Sequence, residues 1–571
     1  MSILYQNQKF SILEPDNCTA KYNSLSDEAC HDLGLDLIVK AITTKESEQN
    51  LIKKIMRTVT ADPAVSNYRI EVFEDVLRLP KMREEMLTLL DKVKFLEDYG
   101  SLKKEYEDTA NAWDLLHRLS EIGDYIDCVE SIHGCLEKAD LSSEGLKNVK
   151  KHVDAIYEDH AFGELKKDIE GLRADTSSLK SVPLGVNLNS HYEADGVGVV
   201  SFNSKAFTKS NILSDFGAKL KSKDGLYDEA DWSGSYAMHP LKADTVSFDP
   251  GLQGIEAMAL ARMAPGLVPT VAGIAEGDPS GDVTKYMDHA ANALISTIVK
   301  RLRTVLNKYV SVTIRDITAL IPEFTYYVRW AEYLEKVTTQ GYRFSKPVAS
   351  DKKGYMKAEG IYNLKLVFTK TEEAGNIVTN DLDFDDDKRI YILTGANRGG
   401  KTTITQAIGI LYVLAQGGIH IPGEGFEFAP VDNIFTHFPA DEDKTMDLGR
   451  LGEECKRFKD IYEASSSDSL ILLNETFSTT SFEEGYYIAE DSIKAMLKKD
   501  VRCIYNTHMH KLAYELDEMN AFATCGKAVS LIVEAKDGKR SFKVKIAPPE
   551  GMSYAKDIAE KYGVTYSQLT Q

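Results

Sequence analysis

Apolar residues recur with a helical period through the first third of the chain. Over 144–157, Leu146, Val149, Val153 and Ile156 fall at i, i+3, i+7 and i+10, one face of a helix. Leu165, Ile169 and Leu172 continue the spacing, with Lys and Glu on the other faces. The stretches 31–56 and 68–99 are similarly rich in Leu, Ile, Lys and Glu and, apart from Pro80, free of Gly or Pro clusters. A helical bundle accounts for residues 1 to about 175 without any ligand.

The period then drops to two. Val182, Leu184, Val186 and Leu188 alternate with other residues and predict a strand. Asp195-Gly196 follows, then Val197, Val199 and Val200 through Phe202, so a two-strand ribbon is predicted. Between about 224 and 282 the chain is rich in Gly, Asp, Pro and Ser. Helical spacing returns with Leu294, Ile298, Leu302, Val305 and Tyr309, and a further helix is predicted from Pro322 to Val337, carrying Trp330. A connector over 341–362 leads into a region of α/β composition.

Composition narrows the class. At 571 residues the chain is too long for a single core. Apolar residues at 43% and charged residues at 27% exclude a wholly disordered or collagen-like chain. No stretch reaches the roughly 18–20 apolar residues of a membrane span; the nearest, 408–419, is short and includes Gln416. The opening MSILYQNQKF lacks the basic and apolar segments of a secretory signal, so a cytoplasmic protein is expected. The seven cysteines are scattered, and the spacing of Cys128 and Cys135 matches no zinc motif; reduced, buried thiols are expected. A net charge of −20 argues against coating nucleic acid by bulk attraction but permits a local basic surface. From Lys180 to Lys223 six lysines face Glu193, Asp195 and Asp215, a net of +3, which suits either a solvated sheet face or such a surface.

The strongest chemical signal is Gly395-Ala396-Asn397-Arg398-Gly399-Gly400-Lys401-Thr402, which fits the P-loop pattern G-x-x-x-x-G-K-[ST]. Glycines let the backbone curl so that N–H groups point at phosphate oxygens, and the following helix adds its positive end. Gly395, Asn397, Gly399, Gly400, Lys401, Thr402 and Thr403 are the candidate nucleotide contacts, with Lys401 reaching the β- and γ-phosphates and Thr402 ligating Mg²⁺. The apolar run Arg389–Thr394 before the loop and TTITQAIGILYVLA after it supply the strand and helix that the motif requires. Downstream, Leu470–Leu473 ends in Asn474-Glu475 where Asp-Glu is usual. Asn474 can bond a Mg²⁺-bound water but brings no charge, while Glu475 keeps the carboxylate that orients water, so slow or strongly Mg²⁺-dependent turnover is expected. A third run, Val501–Tyr505, ends in Asn506-Thr507-His508, and His508 can sense a γ-phosphate. Asp447-Leu448-Gly449-Arg450-Leu451-Gly452-Glu453-Glu454 reads equally as an anion-capable loop or as a plain turn and helix cap.

In this order the motifs of residues 376–516 resemble the ATPase domain of the MutS family. NIVTNDLDFDDDKRIYILTGANRGGKTT looks like that family's P-loop signature, including Asn380, Asp381 and Asn397. GIHIPGEGFEFAPVDNIFTHF, LILLNETFSTTSFEEG and NTHMHKL are similar to its later segments. The resemblance implies a multidomain chain: a helical core over 1–175, a β-rich clamp-like insertion over 176–255, returning lever helices over 256–346 and an α/β P-loop ATPase domain of ABC type over 347–571. It also implies ATP and Mg²⁺ as cofactors, a homodimer, and a grip on duplex or branched DNA controlled by the nucleotide. Lys401 and Thr402 would then hold phosphate and Mg²⁺, Glu475 would be the hydrolytic carboxylate, His508 the switch residue, and Gly449–Glu454 a loop offered to the facing subunit. The chain departs from the family in three ways. It leaves no room for mismatch-reading and connector domains before the core, Gly449-Arg450-Leu451-Gly452 replaces a Ser-Thr-Phe-Met-type loop, and Asn474 stands for Asp. Recognition of a DNA structure is therefore expected in place of mismatch reading, with no separate nuclease domain after His508. A nucleotide-operated scaffold without DNA binding is the alternative that the acidic charge suggests.

Overall fold

The computed structural model describes residues 11–85, 112–176, 184–199 apart from 189, 192 and 193, 239–240, 300–306 apart from 302 and 303, 320–369, 376–395, 399–439, 449–536, 539–549 and 562–570. The chain divides into two compact units. In the first, the helix His160–Thr176 buries Phe162, Leu165, Ile169 and Leu172, the stripe that the sequence spacing marks. A small antiparallel sheet pairs Leu184–Leu188 with Ala194–Val199, and the latter with His239–Pro240. Gly196 is a strand residue opposite Asn187, the turn falls at Ser190 and His191, and the register shifts between Asn187 and Leu188. The remaining ribbon and loop, including Lys205 to Lys223, lie outside the described residues.

The second unit holds the helices α1 (Pro63–Arg78), α2 (Leu320–Thr339), α3 (Lys401–Gln416), α4 (Gly449–Ala464) and α5 (Phe482–Lys499). Its strands are β1 (Val348–Ala349), β2 (Met356–Ile361), β3 (Asn380–Phe384), β4 (Lys388–Thr394) and β5 (Gly425–Phe428), then β6 (Ile434–His437), β7 (Leu470–Asn474), β8 (Arg502–Asn506), β9 (Lys527–Lys536) and β10 (Lys539–Ile546). Strands β6-β7-β8-β4-β9-β10 form one sheet, parallel except for the β9–β10 hairpin. A second sheet has the order β1-β5-β2-β3. The inner strands β4, β7 and β8 are buried on both faces, which explains their unbroken apolar runs.

The apolar run 408–419 belongs to α3 and the turn after it, buried on nearly every face. Gln416 closes that helix. Its amide donates to Thr60 O at 3.1 Å and Val431 O at 3.0 Å, and its oxygen accepts from Val431 N at 2.9 Å, so a polar residue sits in the core fully paired. Buried Arg69 of α1 donates to Gln416 O at 2.9 Å and Leu13 O at 2.8 Å, locking α1 across the end of α3. Arg502, also buried, spans Ala429 O and Asp468 O, each at 2.8 Å.

Cys30, Cys128, Cys135 and Cys503 are buried free thiols as expected, but Cys18 and Cys455 are half-buried and Cys525 is exposed. Among the described residues no helix is long and apolar enough to cross a membrane.

Candidate nucleotide site

Parallel pairing brings three strand ends to one edge. Leu393 on β4 and Asn474 on β7 both stand opposite Asn506 on β8, so the P-loop, Asn474-Glu475 and Thr507-His508 leave the sheet side by side. Thr507 N donates to Leu393 O at 3.0 Å and fastens the third segment to the first.

The loop needs its glycines. Gly395 (φ +136°) and Gly400 (φ +93°) occupy backbone regions that L side chains rarely adopt. A Cβ on Gly395 would come within 3.1 Å of Val533, and one on Gly400 within 3.2 Å of the Phe542 ring. Gly399 is buried beside them, while Asn397 lies outside the described residues. Lys401, first residue of α3, is 5% exposed, and its Nζ donates to Gly395 O at 3.0 Å. Burial pushes its ammonium pKa down, opposed by the Glu475 carboxylate.

Thr402 Oγ1 donates to Asn474 Oδ1 at 3.0 Å. Asn506 Nδ2 donates to the same oxygen and, at 3.4 Å, to Thr402 Oγ1. Asn506 is not singled out by the sequence; its place directly after the run Val501–Tyr505 marks a strand end but not the register that sets it opposite Asn474. Glu475 has φ +53° and is anchored by its N–H to Asn506 O at 2.8 Å.

Gly400, Lys401, Thr402, Thr403 and Glu475 line a cavity of about 480 Å³. Tyr362, Leu366, Ile377, Val378 and Phe542 add a mostly apolar part of its lining. Asn380, also in the lining, donates to Phe542 O at 3.1 Å and accepts from Val544 N at 2.8 Å, tying β10 to β3. Asn363 donates to Thr403 O at 2.8 Å. Asp381 points elsewhere and accepts from Gly360 N at 2.7 Å.

His508 is exposed and is not among the cavity-lining residues. His510, which the sequence reading did not single out, is half-buried. Burial lowers its imidazole pKa, and the positive charges of Lys401 and His508 lower it further. His437 at the end of β6 is pushed down to about 4 by burial and by Arg457, with its Nδ1 3.2 Å from Thr476 Oγ1. Of the two readings of Gly449–Glu454, an anion-capable loop or a turn and helix cap, the structure has the stretch in the first turns of α4, with both Gly449 and Gly452 helical.

The oxygens present suit Mg²⁺: a hydroxyl on Thr402 and an amide carbonyl on Asn474. No group of three or more His, Cys, Asp or Glu able to hold a metal occurs among the described residues.

Comparison with known proteins bears on this arrangement. Residues 391–570 match the family model described as MutS domain V, and residues 61–219 match that of the MutS2 N-terminal domain. The chain belongs to the MutS family. Its MutS relatives include the DNA mismatch repair protein MutS of Prochlorococcus marinus (strain MIT 9301), 34% identical over 139 residues, 24% of this chain and 15% of the relative. The DNA mismatch repair protein MutS of Lactobacillus delbrueckii subsp. bulgaricus (strain ATCC BAA-365 / Lb-18) is 30% identical over 200 residues, 35% of this chain and 23% of the relative. The Endonuclease MutS2 of Caldicellulosiruptor bescii is 26% identical over 299 residues, 52% of this chain and 37% of that protein. The chain thus spans between 15% and 37% of the length of these MutS-family relatives.

Proposed function

We propose that this MutS-family chain is an ATPase that binds ATP with Mg²⁺ in the cavity beside α3 and uses the nucleotide to control binding of duplex or branched DNA as a homodimer. The observation that carries the ATP part is a single cavity lined both by Gly400, Lys401, Thr402 and Glu475 and by apolar side chains that suit a nucleobase. Lys401 turns from Gly395 O to the β- and γ-phosphates, and the N–H groups of the loop and of α3 cradle their oxygens. When bound, Mg²⁺ supplies neutralisation of charge on the phosphates. Thr402 contributes its hydroxyl oxygen and Asn474 accepts from the ion's water shell. Glu475 orients the attacking water, and His508 reaches over from the end of β8 toward the γ-phosphate.

The DNA part rests on the two family models and on relatives named for DNA mismatch repair and for endonuclease activity. The helical core, clamp-like insertion and lever helices bounded at about 175, 255 and 346 would form the DNA grip, and α4 would be the element offered to the facing subunit. The test is ATPase rate and filter binding on duplex, mismatched and branched DNA, with and without ATP. Binding that favours the branched form and changes with ATP is expected. Lys219, Lys221 and Lys223 changed together to Glu should weaken that binding and flatten its salt dependence. Undetectable binding of all three DNAs in low salt overturns the DNA part and leaves a nucleotide-operated scaffold.

A further inference from the structure

An asparagine at the cation end of a P-loop site has a difficulty that an aspartate does not. A carboxylate presents oxygen whichever way it turns, whereas an amide presents oxygen or NH₂, and the NH₂ repels a cation. The torsion that exchanges them is broad and two-fold, so something outside the residue must fix it.

That fixing group is Asn506. It is fully buried at the end of β8 and in register with Asn474. Its Nδ2 donates to Asn474 Oδ1 and to Thr402 Oγ1, and Thr402 Oγ1 donates to Asn474 Oδ1 at 3.0 Å. Two donors therefore converge on the Asn474 oxygen. With Asn474 turned over, its NH₂ would meet the Asn506 NH₂ and a donor–donor contact would replace a hydrogen bond. Asn506 keeps this orientation although its own Oδ1 is left buried without a partner among the described residues. Its backbone is held too, by Glu475 N at 2.8 Å from Asn506 O.

We propose that Asn506 is a positioning residue that locks the Asn474 amide with its oxygen toward Thr402, so that an uncharged residue serves the divalent ion. The inference rests on the nucleotide-site reading above. It predicts a dependence that a merely structural asparagine would not show: Asn506 matters only while residue 474 is an amide.

The test titrates Mn²⁺ by electron paramagnetic resonance into the full chain with a non-hydrolysable ATP analogue, and measures analogue binding separately in EDTA. N506A is expected to weaken Mn²⁺ binding by about tenfold or more, as loss of outer-shell partners commonly does. Analogue binding in EDTA should stay unchanged. N474D should tighten Mn²⁺ binding, and N474D/N506A should bind the ion as N474D does. Unaltered Mn²⁺ binding by N506A, or an equal loss in both backgrounds, overturns the proposal while leaving the nucleotide site intact. Failure of the wild-type chain to take up the analogue in either buffer overturns the nucleotide site, and this inference with it.

Discussion

Lys401 Nζ donates to the carbonyl oxygen of Gly395, six residues earlier, at 3.0 Å, so the P-loop is spanned by its own lysine. The contact joins the last turn of the loop to the end of β4 and holds a buried cation where phosphate would lie. Phosphate oxygens are stronger acceptors for an ammonium than one carbonyl is, because the bond is charge-assisted on both sides. Lys401→Met should therefore lower ATP affinity by about 30–100-fold, the loss of a charged hydrogen bond of roughly 2–3 kcal/mol. Fluorescent-nucleotide titration measures this, and thermal unfolding without nucleotide should move little.

Glu475 stands in a left-handed conformation (φ +53°), as does Phe477 two residues later (φ +63°). A non-glycine residue there costs on the order of 1 kcal/mol. Glu475→Gln keeps the size and the backbone bond to Asn506 but removes the base. Turnover should fall by about 10²–10⁴-fold while ATP still binds. Single-turnover hydrolysis set beside nucleotide retention separates the two; unchanged turnover would remove Glu475 from its role.

The candidate site was legible in the sequence where its motifs are runs of consecutive residues. Gly395, Gly400, Lys401, Thr402, Asn474 and Glu475 each sit at a strand end or helix start that the apolar runs mark, and the structure brings them together. Contacts between distant segments were not legible. Asn506 acts through strand register, Phe542 reaches the P-loop from the β9–β10 hairpin, and Asn380 matters because β10 passes it. None of these has a local spacing signal. Gly449 and Gly452 left loop and helix start equally open for a different reason: glycine suggests a loop by propensity, a weak term that the burial of Phe458 and Ile461 on the same helix overrides. Likewise Asp195-Gly196 looks like a hairpin turn, yet pairing along the strand carries both residues into the sheet.

Asp75 of α1 gives the fold an acid-sensitive joint. Its carboxylate accepts from Ser142 N at 2.9 Å, Ser143 N at 2.7 Å, the Ser142 hydroxyl at 2.5 Å and Arg78 at 2.8 Å, at the start of the helix Glu144–Tyr157. Burial opposes ionisation, but these donors outweigh it and hold the pKa down at about 2. Because the folded value lies below the unfolded one, the stabilisation is present above about pH 4 and is lost as pH falls through about 2. Asp75→Asn should cost about 2 kcal/mol near neutral pH, with the gap to wild type closing below about pH 4. Urea unfolding at several pH values measures it.

Glu323 on α2 has the opposite sign. Its oxygens accept from Ser11 Oγ and Ile12 N, both at 2.7 Å, tying the segment near residue 11 to α2. Burial raises its pKa to about 7; the hydrogen bonds from Ser11 and Ile12 resist the rise and the nearby Glu14 charge adds to it. The phenols of Tyr68 and Tyr327, pushed up chiefly by burial, also feel this carboxylate. A carboxyl whose folded pKa lies above its unfolded value favours the fold while protonated. That contribution is complete below about pH 4.5 and is lost as pH rises through about 7, a decline of up to roughly 3 kcal/mol. Glu323→Gln stays neutral and can still accept from Ile12 N. It should match wild type near pH 5, exceed it in stability near pH 8 by about 1–3 kcal/mol, and flatten the slope between. A variant that lost stability equally at both pH values would show that Glu323 serves only through its hydrogen bonds.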